Sequence, residues 1–414
     1  MIIQLLRNAE FRSFLAGNTL SRLCMSGLTV LLGFQVYELT RNPFNLGLLG
    51  LTAAVPGISL VLYGGDVADR HNRRTLVLTT LGLFTLLAGV LALISQMEQG
   101  ALLPVIYAVA FLASAIRAFE DPASVGLEAQ VLPRHMVLRG VPILASAGRT
   151  AEVAGPAAAG LAWAAFGPAV TYGLIAALFA VSCLTILTGV KSHAPPPRTS
   201  DARALQRIGE GVRFVFASQV LVGSMVLDLF AVFFAGANAL LPAIATDVLH
   251  VGPIGFGILR SASAAGALTA ALAATRLLPA RRAGVALHCI IAVFGLSVIV
   301  FGLSRTFYLS LAALFLAGLC DGVSMVIRHA ILRLASPEAM RGRIAAVKSV
   351  FVGSSNELGA FQSGMTASLI GASATLCLGG VVTLFVVGAV ALRAPLLWKL
   401  NLEAVTRPLA KEAA

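Results

Sequence analysis

The chain has 414 residues, of which 58% are hydrophobic and only 12% are charged, and its formal net charge is +12. A soluble protein carries about 25% charged residues, and a chain of this length cannot bury so much apolar surface in one core. The composition therefore excludes a soluble globular protein and predicts one that uses lipid as its solvent.

Long apolar runs recur along the chain and predict membrane-spanning helices. About 20 helical residues cross a hydrocarbon layer of about 30 Å, and the runs 76–94 and 285–303 approach that length. Barrel strands would alternate apolar and polar residues, which these runs do not. The helices are predicted near residues 10–37, 44–64, 76–95, 101–130, 140–166, 168–190, 218–248, 253–275, 284–304, 306–332, 345–371 and 373–392. The predicted fold class is an all-α polytopic membrane protein with twelve transmembrane helices.

The positions of the basic residues predict the orientation. If the N-terminus is cytoplasmic, only Arg41 and Arg305 of the 30 Lys and Arg residues fall in external loops. Basic loops resist translocation, so both termini are expected in the cytoplasm of a bacterial cell, with the protein in the inner membrane. The positive charge then reflects topology and contact with anionic membrane lipids, and no nucleic-acid partner is expected.

Motifs of catalysis and cofactor binding are absent from the sequence. There is no Walker-type glycine loop, no His-Glu-x-x-His and no Gly-x-Ser-x-Gly. The five cysteines are scattered singly through the predicted helices, without the spacing of metal ligands. We therefore expect a protein that is not an enzyme and needs no cofactor or metal.

The sequence repeats itself at about half its length. Residues 42–47, which open the second predicted helix, return as 252–257, and the turn 133–136 returns as 337–340. These repeats indicate a duplication and predict two pseudo-symmetric six-helix bundles.

The repeat divides the chain into four segments. They are an N-terminal bundle (1–190), a cytoplasmic linker (191–217), a C-terminal bundle (218–394) and a cytoplasmic tail (395–414). The linker contains a proline run followed by a predicted amphipathic helix on the inner membrane face. This helix is predicted either to couple the two bundles or to be a passive tether.

Residues 65–74, Gly-Asp-Val-Ala-Asp-Arg-His-Asn-Arg-Arg, resemble the signature loop between helices 2 and 3 of the major facilitator superfamily. Asn72 replaces the preferred glycine, and asparagine is the next best residue for a left-handed turn. Gly155-Pro156 resembles a motif of the superfamily's exporters, and 336–364 resembles its enterobactin-exporter and macrolide-efflux branch. The resemblance covers nearly the whole chain and implies two halves that rock around a site at mid-membrane depth.

Within the signature loop, Gly65, Asp69, Arg70, Arg73 and Arg74 are predicted to form a conformational latch. A carboxylate at a helix end can pair across the cytoplasmic gap with a basic residue or a helix N-terminus of the other half. Such a bond forms only when the cytoplasmic side is closed, so it biases a two-state equilibrium. Alternatively, the arginines only obey the inside-positive rule.

Ionisable residues inside the predicted helices are candidates for proton coupling, since each charge costs about 2.5–3.5 kcal/mol at membrane depth. The acids outnumber the arginines there, although Arg328 and His329 could reduce the excess, and an unpaired buried carboxylate tends to hold a proton. The candidates are Asp228, Asp321, Glu357, Arg117, Glu120, Asp121 and Glu152.

Three of these acids have an arginine one helical turn away and are expected in structural pairs: Glu120 and Asp121 with Arg117, and Glu152 with Arg149. The other three acids are therefore predicted to be the best proton carriers. Arg117 also corresponds to the superfamily's helix 4 signature arginine, which implies a role in coupling, although Asp121-Pro122 replaces the glycine expected there.

The resemblance also implies a central cavity lined by helices 1, 4, 7 and 10. The candidates for the substrate cavity are Arg22, Asp228, Asn238, Arg260 and Asp321. The alternative for these charges is an interhelical ion pair, for example between Asp228 and Arg260.

Small residues at helical spacing predict close helix packing. The candidates for this packing motif are Gly148, Gly155, Pro156, Gly160, Gly359 and Gly364.

These features predict a monomeric secondary active transporter that works by alternating access. Apolar walls with a few fixed charges suit an amphiphilic small molecule, siderophore-like or drug-like, exported in exchange for protons. One alternative is an importer or uncoupled facilitator of a small metabolite. Another, from a different class, is a membrane receptor that transports nothing.

Overall fold

The computed structural model describes residues 8–96, 99–132, 136–192, 213–277, 282–335 and 341–401. In these ranges the chain forms twelve long helices and no strand. They are α1 (Ala9–Thr40), α2 (Pro43–Arg70), α3 (Arg73–Ile94), α4 (Gln99–Val131), α5 and α6 (together Val137–Gly189), α7 (Gln219–Phe234), α8 (Pro253–Leu277), α9 (Ala283–Leu303), α10 (Phe307–Ala335), α11 (Arg341–Ile370) and α12 (Ala372–Arg393). Ten described segments are apolar enough to span a membrane, and one, Gly140–Gly189, contains parts of both α5 and α6. The all-α polytopic fold class is confirmed.

Positive φ angles mark corresponding turns of the two halves. Gly167 (φ 76°) separates α5 from α6, and Gly371 (φ 87°), 204 residues later, separates α11 from α12. Arg41 (φ 49°) and His250 (φ 51°) stand shortly before α2 and α8. Glycine adopts a left-handed conformation without steric cost, so the two glycines end their helices at equivalent places.

The expectation of a left-handed turn at Asn72 is wrong. Asn72 has φ −66° and ψ 114°, and its side-chain oxygen accepts a hydrogen bond from the backbone N–H of Thr75 at 3.2 Å. Its side-chain amide donates to the hydroxyl of Ser192 at 2.8 Å. Asparagine is among the best helix N-caps, so it replaces the usual glycine by starting α3.

The prediction of one helix over 218–248 misses a break. α7 ends at Phe234, and the chain resumes as a short helix, Ala237–Ala243, followed by a π-helical turn, Ile244–Val248. Gly236 lies in the interruption, where its low helix propensity favours the break.

The described helices form two compact units. Unit 1 comprises Met1–Thr199 with Leu241–Ser261, and unit 2 comprises Ser200–Leu240 with Ala262–Ala414. The C-terminal end of the segment predicted as the seventh helix and the start of α8 thus group with the N-terminal helices. The segment boundaries at 190, 217 and 394 remain predictions, and most of the predicted linker (193–212), including most of its predicted helix, lies outside the described residues.

Each unit has its own packing. In unit 1, α1 packs against α5–α6, α2 against α4, and α3 against α6, where Phe84 and Phe179 stack at 5.4 Å. In unit 2, α9 packs against α10 and α12, and α7 packs against α11 and α12, around a core that includes Leu227, Leu287 and Ile327.

Candidate functional site

A buried ionic cluster in unit 2 joins α7 to α10. The guanidinium of Arg328 is in direct contact with the carboxylate of Asp228, and its Nη2 lies 3.7 Å from Oδ1 of Asp321. The side chains of Arg328 and Asp228 are 7% and 10% exposed, whereas that of Asp321 is 42% exposed. One guanidinium therefore serves two carboxylates, of which only Asp321 is substantially accessible.

The helical period of α10 builds this cluster. Asp321 and Arg328 are seven residues apart, which is about two turns, so they share one face. The backbone carbonyl of Ser324, between them, accepts a 3.3 Å hydrogen bond from Nε of Arg328 and fixes the guanidinium. Arg328 can then reach along its own helix to Asp321 and across to α7.

A small cavity, partly open to solvent, adjoins the two carboxylates. It is lined by Asp228, Ala231 and Val232 of α7, by Ile291 and Phe294 of α9, and by Cys320, Asp321 and Ser324 of α10. Two carboxylates and a hydroxyl are its polar groups, so the cavity can bring water to Asp321.

Sequence reasoning underestimated Arg328. It treated Asp228 and Asp321 as acids with no opposite charge within a turn and offered Arg260 as a partner for Asp228. The structure gives Asp228 the guanidinium of Arg328 instead. The seven-residue spacing along α10 could have indicated the Asp321 contact, but no spacing indicates a contact with α7.

Other titratable groups stand on the helices packed against α10. His288 of α9 is buried, with Nδ1 at 2.8 Å from the carbonyl oxygen of Gly284 and its ring at 5.0 Å from that of Trp398. Glu357 of α11 is half-buried. The contacts of His288 are with Gly284 and Trp398. The acids of unit 2 that matter for proton coupling are therefore Asp228, Asp321 and Glu357.

A second ionic cluster lies in unit 1. Nη1 of Arg149 is 2.8 Å from Glu152, one turn along α5, and Nη1 of Arg22 on α1 is 3.7 Å from the same carboxylate. Gly148 makes room for this arrangement, since a Cβ there would lie 3.0 Å from Cδ of Arg22. The three charged side chains are 35–44% exposed.

The remaining candidates inside the helices are more dispersed. Arg117 pairs with Asp121 within α4 at 3.4 Å, with both side chains exposed, and Glu120 beside them is half-buried. Asn238 is exposed on the short helix that follows α7, and Arg260 is half-buried on α8.

The signature loop is tied to unit 1. Arg73 pairs with Asp69 at 3.1 Å, and its guanidinium donates to the carbonyl of Gly126 on α4 at 3.1 Å. Arg70 pairs with Asp66 at 2.8 Å, and Arg74 donates to the Leu187 carbonyl on α6 at 2.6 Å. Asp69 is 75% exposed. These bonds fix the loop on α4 and α6, and its role as a latch remains a prediction.

Several of the predicted small residues stand where backbones nearly touch. A Cβ on Gly155 would lie 2.6 Å from the Leu23 carbonyl of α1, and one on Gly160 would lie 2.4 Å from the Pro253 carbonyl of α8. A Cβ on Gly359 of α11 would lie 2.9 Å from Cα of Phe233 on α7. Larger side chains at these positions would push the helices apart.

Sequence reasoning missed a polar contact at the C-terminal end of α1. The hydroxyl of Tyr37 donates to the carboxylate of Asp247, which also lies 3.4 Å from Nη1 of Arg41. The sequence did contain one indication of this contact, because Arg41 is one of only two basic residues in the predicted external loops.

Twelve helices, a repeated turn geometry and the signature loop define a transporter of the major facilitator superfamily. Residues 3–408 match the family described as transmembrane secretion effector, and the chain belongs to that family.

Among curated proteins, the chain is similar to the enterobactin exporter EntS of Escherichia coli O1:K1 / APEC and of strain HS. The identity to each is 27% over 337 residues, covering 81% of this chain and 79% of the relative.

Among solved structures, the nucleoside transporter NupG superposes with a TM-score of 0.73 at 13% identity, covering 93% of this chain and 98% of that one. A bacterial homologue of the human lysosomal transporter Spinster superposes with a TM-score of 0.67 at 14% identity, covering 97% of both chains. At these identities the likeness concerns the fold alone.

Proposed function

We propose that the protein is a proton-coupled exporter of an amphiphilic small molecule, located in the bacterial inner membrane with both termini in the cytoplasm. The family and the similarity to enterobactin exporters support export. The observation that carries proton coupling is the sharing of Arg328 by Asp228 and Asp321 beside a cavity.

The charge of this cluster supports a proton site at Asp321. With both carboxylates ionised, the three side chains carry one net negative charge, and one proton makes them neutral. A low-dielectric surrounding favours the neutral form. Asp228 is buried against Arg328 and stays ionised as its counter-ion, whereas the more exposed Asp321 can exchange its proton with water in the cavity.

Flux measurements test the coupling. The protein is reconstituted in liposomes that contain a pH-sensitive dye, with enterobactin and erythromycin as two separate substrates. We expect a pH gradient to drive accumulation of at least one of them together with proton movement. Asp321→Asn should abolish gradient-driven accumulation but permit downhill exchange, since the substrate cavity is intact, and Asp66→Asn, a matched change at an exposed pair in α2, should keep both.

The outcome separates the competing functions. If Asp321→Asn keeps full gradient-driven transport, Asp321 is not the proton site. Gradient-independent flux in the unaltered protein would favour a facilitator. Absence of any flux, with ligand binding retained, would favour a receptor.

Thiol labelling tests the orientation. In a variant without the native cysteines, single cysteines at Gln99 and His250 should react with an impermeant reagent from outside, and one at Ser200 should not. Labelling at Ser200 in intact spheroplasts would overturn the cytoplasmic placement of the linker.

A further inference from the structure

Arg260 differs from the other arginines inside the helices. It lies on α8 within the apolar segment Pro253–Ala273 and is half-buried. Across the described part of the chain, no carboxylate and no hydrogen-bond acceptor pairs with it. Arg22, Arg149 and Arg328 each contact a carboxylate. A guanidinium at membrane depth costs about 2.5–3.5 kcal/mol, and at Arg260 no group among the described residues offsets this cost.

The turn of α8 that carries Arg260 is held firmly in unit 1. The hydroxyl of Ser261 donates to the Val153 carbonyl of α5 at 2.7 Å. A Cβ on Gly257 would lie 2.6 Å from the Pro156 carbonyl, so the two backbones are nearly in contact there. The backbone of Arg260 is therefore fixed by its neighbours, although its side chain has no partner in the ranges that the structure describes.

Aromatic rings lie next to this position. Phe256 precedes Arg260 by four residues, which places both on the same face of α8. The ring of Phe256 stacks on that of Phe34 of α1 at 4.9 Å, and Phe34 meets the edge of Trp163 at 5.9 Å. Arg260 is thus one helical turn from an aromatic cluster made of Phe34, Trp163 and Phe256.

We infer that Arg260 binds the anionic group of the transported molecule, and that this molecule is an organic anion with an aromatic or apolar body. The planar guanidinium offers five donors and suits a carboxylate or another delocalised anion. The segment Pro253–Ala273 around Arg260 is apolar, which suits the apolar body. The inference rests on the proposed transport function and adds to it the charge of the substrate.

Three probes with the same ring and different charge test this assignment: 2-naphthoate, 2-naphthalenemethanol and 2-naphthylmethylammonium. Binding is measured by calorimetry on the full chain in zwitterionic lipid nanodiscs, without a pH gradient, and inorganic phosphate provides a fourth arm. We expect naphthoate to bind at least about tenfold more tightly than the other probes, equal to about 1.4 kcal/mol. Arg260→Gln should remove this preference, and Arg260→Lys should keep part of it.

The control is Arg305→Gln, which changes the net charge equally at an external loop and should keep the preference for naphthoate. Thermal unfolding of the ligand-free protein gives a second readout. Arg260→Gln should leave the Tm unchanged or raise it, because it removes an unpaired charge, whereas loss of an internal ion pair would lower it.

Any of four results would overturn the assignment. They are equal binding of the charged and neutral probes, no binding of naphthoate, an unchanged preference in Arg260→Gln, and binding of phosphate as tight as that of naphthoate. None of these results depends on a proton gradient, so the proton-coupled export proposal would stand. Failure of gradient-driven accumulation would in turn leave the binding result intact.

Discussion

The ionic clusters of the two units carry opposite surpluses of charge. In unit 1, Arg22 and Arg149 share Glu152, whereas in unit 2, Asp228 and Asp321 share Arg328. The repeat makes α7 the counterpart of α1, so Asp228 and Arg22 lie on corresponding helices, whereas the remaining members lie on α5 in unit 1 and on α10 in unit 2. The two halves therefore keep one helical scaffold but place charges of opposite sign on it. This difference agrees with the two proposals above, in which Asp321 of unit 2 carries a proton and Arg260 of unit 1 binds an anion.

The clusters also differ in burial. Arg328 and Asp228 are nearly inaccessible, whereas the three charged groups of unit 1 are all more than one-third exposed. Removing one member of a buried pair strands a charge in low dielectric, but solvent screens the same loss at an exposed pair. Removal of one charged partner should therefore destabilise the protein more in unit 2 than in unit 1.

The largest effect is expected for Arg328→Met, which leaves Asp228 buried without a counter-ion. We expect a loss of about 3 kcal/mol in unfolding free energy, seen as a lower Tm and lower yield in detergent. The double variant Asp228→Asn/Arg328→Met should recover most of the loss, since no buried charge is left without a counter-ion and Asp321 is partly exposed. A double variant as unstable as the single one would show that Arg328 acts by packing rather than by charge.

A smaller effect is expected for Gly148→Leu in unit 1. Its side chain would meet Cδ of Arg22 and push that guanidinium away from Glu152, at a cost of about 1–3 kcal/mol. Gly148→Ala is the graded control and should cost less, since Arg22 is flexible. Equal Tm values for the Leu variant and the unaltered protein would mean that α1 and α5 are not closely packed at Gly148.

A still smaller effect is expected for Glu152→Gln. The pairs with Arg22 and Arg149 are partly exposed, so their loss should change the unfolding free energy by only about 0–1 kcal/mol. Thermal unfolding at low and high salt measures it, and the difference should shrink as salt screens the two arginines. A destabilisation as large as that of Arg328→Met would break the proposed contrast between the units.

The smallest effect on stability is expected for Asp69→Asn, because Asp69 is mostly exposed and Arg73 keeps its bond to the Gly126 carbonyl. If Asp69 belongs to a latch, this variant should populate cytoplasm-open states more and slow transport, with unchanged Tm. Spin-label distances across the cytoplasmic helix ends measure the populations, with Asp66→Asn as the control. An unchanged distance distribution would make Asp69 a structural charge only.

The sequence by itself determined the helices, most of the turns between them, the repeat and the family. These features are local, since an apolar run of sufficient length must be a helix in lipid, and left-handed turns fall to residues such as Gly167 and Gly371. Local reasoning failed at Asn72, where capping replaced a left-handed turn, and at Gly236, where the seventh helix is interrupted.

Only the tertiary structure decided which charges on different helices meet. Asp228 and Arg328 are on different helices 100 residues apart, and their contact depends on how α7 and α10 are rotated and spaced. The same is true of Arg260, whose lack of a partner among the described residues becomes visible only once its neighbours are placed. Spacing along a chain encodes the face of a single helix, whereas pairing between helices depends on how all the helices pack together.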